Sequence, residues 1–246
     1  MIQAHPEKSQ NLILSIIIAT FNAELHIEGC LDSIVNNAIE PYELIIIDGK
    51  STDKTLEIVS DFKHLRSTII SEPDKGIYDA MNKGISYANG KWIMFLGADD
   101  RLLPTFGNIL SNLIDDKTIY YGNCKNEFNQ LGGKFSANKL AKMNLCHQAI
   151  LYPRMALKKY AFDLNYPVFA DYLLNMQCWG DQTFIKRYLN IDIAYYNMEG
   201  FSATAKDDKF RADKPRLVRQ YLGYVAYFKY LFRKFKEARN PASKFF

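Results

Sequence analysis

Apolar residues fall in short continuous blocks, separated by segments with helical spacing. Residues 12–19 (LILSIIIA), 42–47 (YELIII), 67–71 and 92–96 (WIMFL) each read as a buried strand. Between them Ile27, Leu31, Ile34 and Val35 share one helical face, and Leu56, Val59 and Phe62 suit a shorter helix. Ile77, Ala80, Met81, Gly84, Ile85 and Ala88 form a third face, stopped by Asn89 and Gly90. Asn22 is the expected N-cap of the first helix. The order β-α-β-α-β-α-β up to Asp100 predicts an α/β fold with a mostly parallel sheet and right-handed crossovers.

In such a sheet, ligands bind outside the carboxyl ends of the strands. All four predicted ends are polar: Thr20 and Asn22, then Asp48, Ser51 and Asp53, then Glu72 and Asp74, then Asp99 and Asp100. Polarity repeated at every end points to a metal and phosphate station. The alternative for Asp99 and Asp100 is that they only cap the next turn, a common use of Asp.

The second half is less periodic. Phe106, Ile109, Leu110 and Leu113 predict a helix after Pro104, and residues 118–122 (TIYYG) another strand. Residues 123–138 are polar, a hairpin or a loop. Cys146, His147 and Gln148 form the other cluster of reactive side chains. Pro153 is expected to open a helix at its first position. Asp171 starts a further apolar stretch, where a carboxylate favours a helix N-terminus. Residues 184–197 are strand-like and 198–202 a turn.

From Lys206 the composition changes: Lys and Arg recur among Tyr, Phe and Leu (RLVRQYLGYVAYFKYLFRKFKEAR). This is the pattern of an amphipathic helix suited to an anionic membrane surface. A helix packed on its own domain, or on a partner, gives the same pattern. The chain therefore divides into a unit over 12–205, with halves 12–103 and 104–205, and a basic aromatic helical tail over 206–246.

Of the 246 residues, 48% are hydrophobic, enough for a full core. A net charge of +4 argues against nucleic acid as a partner. The four cysteines contain no CxxC pair and read as buried free thiols in a reducing compartment. The N-terminus lacks the basic start and apolar core of a signal peptide, and residues 12–19 are too short to span a bilayer. The expected location is cytoplasmic, with any membrane contact peripheral.

Four pieces of the chain carry a family resemblance: SIIIATFN, IIIDGKSTDKT, SEPDKGIYDAMNKGISYANGKWIMFLGADD, and HQAILYPR followed by ADYLL. In this order and spacing they resemble the family-2 inverting glycosyltransferases, over about residues 14–202. The likeness is to the short bacterial enzymes that build colanic acid, O-antigen and other surface polysaccharides. It implies a GT-A fold, with a nucleotide-binding half and an acceptor-binding half. It also implies a nucleotide-sugar donor, a lipid-linked or oligosaccharide acceptor, and Mg²⁺ or Mn²⁺. There are departures. Gly97 stands where the first acid of the metal motif is usual, Gly49 where a second acid often follows the second strand, Met81 where an arginine is frequent, and Ala170 where an acidic pair is usual.

By this resemblance Asp99 holds the metal, and Asp100 assists it or caps the turn. Asp171 is the general base, because an inverting displacement needs one carboxylate to take the acceptor's proton. Asp48 contacts uracil or another pyrimidine, while Ala19, Thr20, Phe21, Asn22, Glu24, Ser51 and Asp53 line the same pocket. Asp74, Lys75, Gly76 and Asp79 close over ribose and donor sugar, with Asn82, Lys83 and Ala98 nearby. His147 and Gln148 face acceptor or diphosphate, and Ser202 supports a loop over the diphosphate. Phe21 also suits a core position, Asp53 a helix cap and His147 a structural role. Two other classes compete. A sugar nucleotidyltransferase normally carries a Gly-rich, Lys/Arg-bearing loop after the first strand, which ATFNAEL lacks. A membrane-docked scaffold that has lost catalysis is motivated by Gly97, Gly49 and Met81.

Overall fold

The computed structural model describes residues 12–38, 40–62, 65, 67–197 and 205–239. The expected alternation is present: β1 (Leu14–Thr20), α1 (Ile27–Asn37), β2 (Tyr42–Asp48), α2 (Thr55–Asp61), β3 (Ser67–Ser71), α3 (Ile77–Tyr87) and β4 (Trp92–Gly97). There follow β5 (Arg101–Leu102), α4 (Gly107–Leu110), β6 (Thr118–Lys125), β7 (Gln130–Leu131), α5 (Ala137–Leu140), β8 (Ile150–Pro153), α6 (Arg154–Lys159), α7 (Ala170–Gly180) and β9 (Ile185–Tyr195). The tail forms α8 (Asp208–Leu217), one π-helical stretch at Val218–Leu222, and α9 (Gly223–Arg239).

One sheet runs β3-β2-β1-β4-β8-β6-β9-β5, with β7 beside β6. The first four strands in that order are mutually parallel. The second half joins through β8, which runs antiparallel to β4 by pairing Trp92 with Pro153 and Ile93 with Tyr152. Successive side chains on a strand point to opposite faces, so each Ile-rich strand feeds two cores. Ile17, Ile45, Ile47, Ile93 and Phe95 pack under α3, α7 and the tail. Ile16, Ile18, Leu44, Ile46, Met94 and Leu96 pack under α1. These side chains are at most 1% exposed, and full burial of each contributes roughly 1.5–3 kcal/mol. That explains why the strands read as continuous apolar runs: both faces are covered.

Register brings the strand ends level. Thr20 pairs with Asp48, Asp48 with Ser71, and Ala19 with Gly97. The polar residues that follow therefore emerge along one edge.

Three local expectations are corrected. Asn22 is not a cap, since α1 starts at Ile27 behind His26. The helix after Pro104 shrinks to four residues. Pro153 ends β8 and precedes the first helical residue, Arg154. Residues 123–138 do include a hairpin, because β6 continues to Lys125 and pairs back with β7.

The tail packs on the body: Phe210, Leu217, Val218 and Ala226 are buried in the same core as α7. Gly180, at the end of α7, lets the π-helical stretch come close. A Cβ there would lie 2.1 Å from the Tyr221 carbonyl oxygen.

Candidate active site

The loops after β1 and β2 are sewn together side chain to backbone. Asn22 sits at φ 48°, a left-handed conformation that Asn tolerates better than most residues. Its Oδ1 accepts from Thr52 N at 2.9 Å, and its own N–H donates to Ser51 Oγ at 2.8 Å. Glu24 and Asp53 hold the same seam, with Glu24 N donating to Asp53 Oδ2 (3.0 Å) and Lys54 N to Glu24 Oε2 (2.9 Å). Asp53 also accepts from Thr55 N at 3.0 Å, in front of α2, so its cap-like reading has a partner. Asp48 is fully buried. Its carboxylate accepts from Lys50 N (3.2 Å), Ser51 N (3.2 Å), Ser51 Oγ (2.5 Å) and Ser71 Oγ (2.6 Å). Ala19 is buried at the strand end, and Thr20 Oγ1 is buried without a partner among the described residues. Phe21 is 62% exposed, which corrects the core reading of that ring.

The loop before α3 carries Asp74, Lys75 and Gly76. Gly76 has φ 111°, a value that favours glycine. Asp74 Oδ1 accepts from Gly76 N (2.8 Å), and Asp79 Oδ2 from Lys75 N (3.0 Å). Lys83 donates to the Pro73 carbonyl at 2.6 Å and pairs with Glu72 at 3.0 Å, so its ammonium is engaged by the protein. The Asn82 amide grips the Phe162 backbone, donating to O at 2.9 Å and accepting from N at 3.0 Å, which ties the two halves together.

After β4, the two adjacent acids differ. Asp100 is 2% exposed. It accepts from Gly97 N (3.0 Å), Gln148 Nε2 (2.8 Å) and Asn197 N (3.0 Å). Burial, then the charge of Asp99, raise its pKa, while the hydrogen bonds from Asn197 and Gln148 and the charge of His147 oppose the rise. Asp99 is half-buried and borders a groove of about 780 Å³ lined also by His26, Asp32, Arg101, Tyr195 and Asn197. No hydrogen bond to the Asp99 carboxylate is present among the described residues. Ala98 is buried between. Gly97 is more than a lost acid: a Cβ there would lie 2.5 Å from Asp100 Oδ2 and 2.8 Å from Asp99 Oδ1. The two carboxylates occupy the space a side chain would need. Gln148 is buried and donates to Asp100.

Asp171 lies in the first turn of α7, behind Phe169, and is 7% exposed. Three side chains from two other segments reach it. Tyr78 Oη donates to Oδ1 at 3.1 Å, Asn144 Nδ2 to Oδ2 at 2.8 Å, and His147 Nδ1 lies 3.2 Å from Oδ2. Burial alone would lower the His147 pKa. The hydrogen bond and charge of Asp171, then the charges of Asp100 and Cys146, outweigh it, and the net shift is upward. The start of α7 is also held from the tail, where Asp207 Oδ2 accepts from Val168 N (3.3 Å) and Phe169 N (3.4 Å). Tyr78 and Asn144 are missed by the sequence reading. Tyr78 stands inside the GIYDAMNKG motif and Asn144 three residues before His147, but nothing in either residue type marks it. Ser202 and the turn at 198–202 lie outside the described residues.

Among the described residues no group of three or more His, Cys, Asp or Glu is arranged to hold a metal. One carboxylate without protein donors does suit Mg²⁺ or Mn²⁺, which commonly keep one or two carboxylates and fill the remaining positions with phosphate and water oxygens.

Residues 15–169 match the family model described as glycosyl transferase family 2. A PGL/p-HBAD biosynthesis glycosyltransferase of Mycobacterium bovis (strain BCG / Pasteur 1173P2) is 35% identical over 219 residues, 84% of this chain and 86% of that protein. Among solved structures, S. aureus TarS in complex with UDP-GlcNAc superposes with a TM-score of 0.69 at 18% identity, covering 86% of this chain and 72% of that one. The mannosyltransferase PcManGT from Pyrobaculum calidifontis, in complex with GDP-Man and Mn²⁺, gives 0.63 at 16% identity, covering 100% and 80%. The two structures share the fold of this chain, the GT-A arrangement of one sheet with a parallel half and a mixed half. With the family model spanning most of that sheet, the chain belongs to glycosyltransferase family 2 and is a glycosyltransferase.

Proposed function

We propose that this enzyme moves a sugar from a nucleotide-diphosphate sugar, UDP-linked, to a lipid-linked or oligosaccharide acceptor, in the synthesis of a bacterial surface polysaccharide. The observation that carries the reading is Asp171. It is a nearly buried carboxylate whose two oxygens are oriented by Tyr78, Asn144 and His147. It takes the proton of the acceptor hydroxyl while that oxygen attacks the anomeric carbon. The bond to the diphosphate breaks as the new one forms, and the configuration inverts. No covalent intermediate is needed, so one carboxylate suffices. Asp99 would hold a divalent cation, which when bound neutralises the charge of the leaving diphosphate. The relative named for PGL/p-HBAD biosynthesis supports a biosynthetic glycosyl transfer, and the TarS complex with UDP-GlcNAc supports the UDP-linked donor.

Asp171→Asn keeps the shape and removes the base. Transfer from a UDP-sugar mixture to acceptor is expected to fall by roughly 10²- to 10⁴-fold, with UDP binding retained. Full activity in this variant would reject the role given to Asp171. Binding without any transfer by the native enzyme would favour the catalytically impaired scaffold.

A second reading concerns the tail. Helix α9 presents Tyr224, Val225, Phe228, Phe232 and Phe235, each more than half exposed, among exposed Lys229, Lys234, Lys236 and Arg239. Aromatic rings interleaved with cations match an anionic lipid surface, and here they suit peripheral docking at the inner face of the plasma membrane. No helix among the described residues is long and apolar enough to cross a membrane. Phe228→Ser/Phe232→Ser should reduce co-sedimentation with phosphatidylglycerol vesicles, and unchanged sedimentation would assign this face to another partner.

A further inference from the structure

We infer that Asp74, and not Asp48, is the carboxylate that reads the base of the nucleotide, and that Gly49 is what gives it room. The inference rests on the donor being a nucleoside-diphosphate sugar.

Asp48 is fully buried, and both its oxygens are taken. Oδ1 accepts from Ser51 Oγ at 2.5 Å, and Oδ2 from Lys50 N at 3.2 Å and Ser71 Oγ at 2.6 Å. A base N–H reaching it would have to displace a donor that holds the turn together. Asp48 therefore builds the loop rather than reading a ligand.

Asp74 is arranged the other way. Its Oδ1 is pinned by Gly76 N at 2.8 Å, and among the described residues no donor reaches Oδ2. That free oxygen lies over the backbone of Gly49. A Cβ on Gly49 would stand 2.6 Å from Asp74 Oδ2 and 3.4 Å from Phe21 Cδ2. So the carboxylate, the bare glycine and the Phe21 ring converge on one spot. The ring is 62% exposed, large for an aromatic at a strand end, and the buried Thr20 Oγ1 beside it has no partner among the described residues. The acid absent at position 49 is supplied from the next loop.

The chemistry of this spot selects a base. An exposed ring offers a face on which any base stacks. An ionised carboxylate only accepts hydrogen bonds, so it favours a base with a ring N–H and disfavours cytosine, whose N3 is itself an acceptor. One free oxygen matches the single ring N–H of uracil or thymine. Guanine, with neighbouring N1–H and amino donors, would use two oxygens, and Oδ1 is already engaged.

Calorimetry with UDP, CDP and GDP, with and without Mn²⁺, on the native enzyme and on Asp74→Asn and Gly49→Ala tests this. The native enzyme should bind UDP in preference to CDP and GDP. Asp74→Asn should lose about 10- to 100-fold in UDP affinity, the value of a hydrogen bond to a charged group. Its UDP-over-CDP preference should collapse, because an amide can donate to N3. Gly49→Ala should weaken UDP in the same direction, since its methyl meets only the flexible end of Asp74. That variant keeps the test available if Asp74→Asn unfolds. Native UDP affinity and base preference in both variants would overturn the inference while leaving the donor reading intact. Failure of the native enzyme to bind any of the three nucleotides would overturn the donor reading itself, and this inference with it.

Discussion

Tyr78 Oη stands 3.1 Å from Asp171 Oδ1 and 2.8 Å from the Val168 carbonyl oxygen, sharing one proton between two acceptors from a segment 90 residues away. Its ring stacks on Phe162 with centroids 5.1 Å apart. The helix that follows the third strand thus steadies the carboxylate at the head of α7, and links the two halves of the sheet at the point where chemistry is proposed.

Tyr78→Phe removes this hydroxyl and keeps the stacked ring. Tyr78 acts through Asp171, so kcat should fall by about tenfold while KM for the donor stays near native, as expected for loss of roughly 1–1.5 kcal/mol of orientation. The pH profile should shift with it. An unchanged kcat, or a change confined to KM, would make the hydroxyl merely structural.

Asp99→Asn tests the metal reading. In the native enzyme EDTA should weaken UDP binding by at least about tenfold, the value of a charge-assisted ligand. In the variant, UDP binding should already be weak and should no longer respond to EDTA. Calorimetry reads both arms. Native binding that ignores EDTA would remove Asp99 from any metal role.

His147 gives a pH dependence with a definite sign. Its pKa is lowered by burial but raised on balance by Asp171, Asp100 and Cys146. A raised pKa in the folded state means that the His147–Asp171 pair stabilises the protein fully below the ordinary value of about 6.5. That contribution is lost as pH rises through the folded value. While His147 is charged, its Nδ1 pairs with Asp171 Oδ2 at 3.2 Å and competes with the acceptor hydroxyl for that oxygen. Thus kcat/KM should rise with pH through a value above about 6.5, and in His147→Gln that rise should disappear. An identical profile in the variant would uncouple the ring from the base.

Gly180→Ala probes how the tail is seated. On helix propensity alone the substitution should stabilise by up to about 1 kcal/mol. The added Cβ would instead stand 2.1 Å from the Tyr221 carbonyl oxygen, which belongs to backbone and cannot swing aside. Overpacking of this kind costs about 1–3 kcal/mol, so Tm should drop by roughly 2–10 °C. A raised Tm would show that the π-helical stretch has room to shift.

The sequence by itself determined the framework. Four apolar runs, each too short for a helix and bounded by helical faces, left a parallel sheet as the only way to bury Ile16 to Ile18, Ile45 to Ile47 and Ile93 to Phe95 on both faces. The same alternation put Thr20, Asp48, Asp74 and Asp99 on one edge, because parallel strands send all their carboxyl ends the same way. The motifs around them sufficed for the family. Which of those polar groups faces a ligand was a different matter. Asp48 and Asp100 look as available in sequence as Asp74 and Asp99, yet the fold surrounds the first two with donors and, among the described residues, leaves a free oxygen on the others. Likewise Tyr78, Asn144 and His147 meet at Asp171 from sequence separations of 93, 27 and 24 residues. Local pattern records how a segment buries its own apolar side. Hydrogen-bond saturation depends on neighbours brought in by other segments, and only the tertiary structure supplies them.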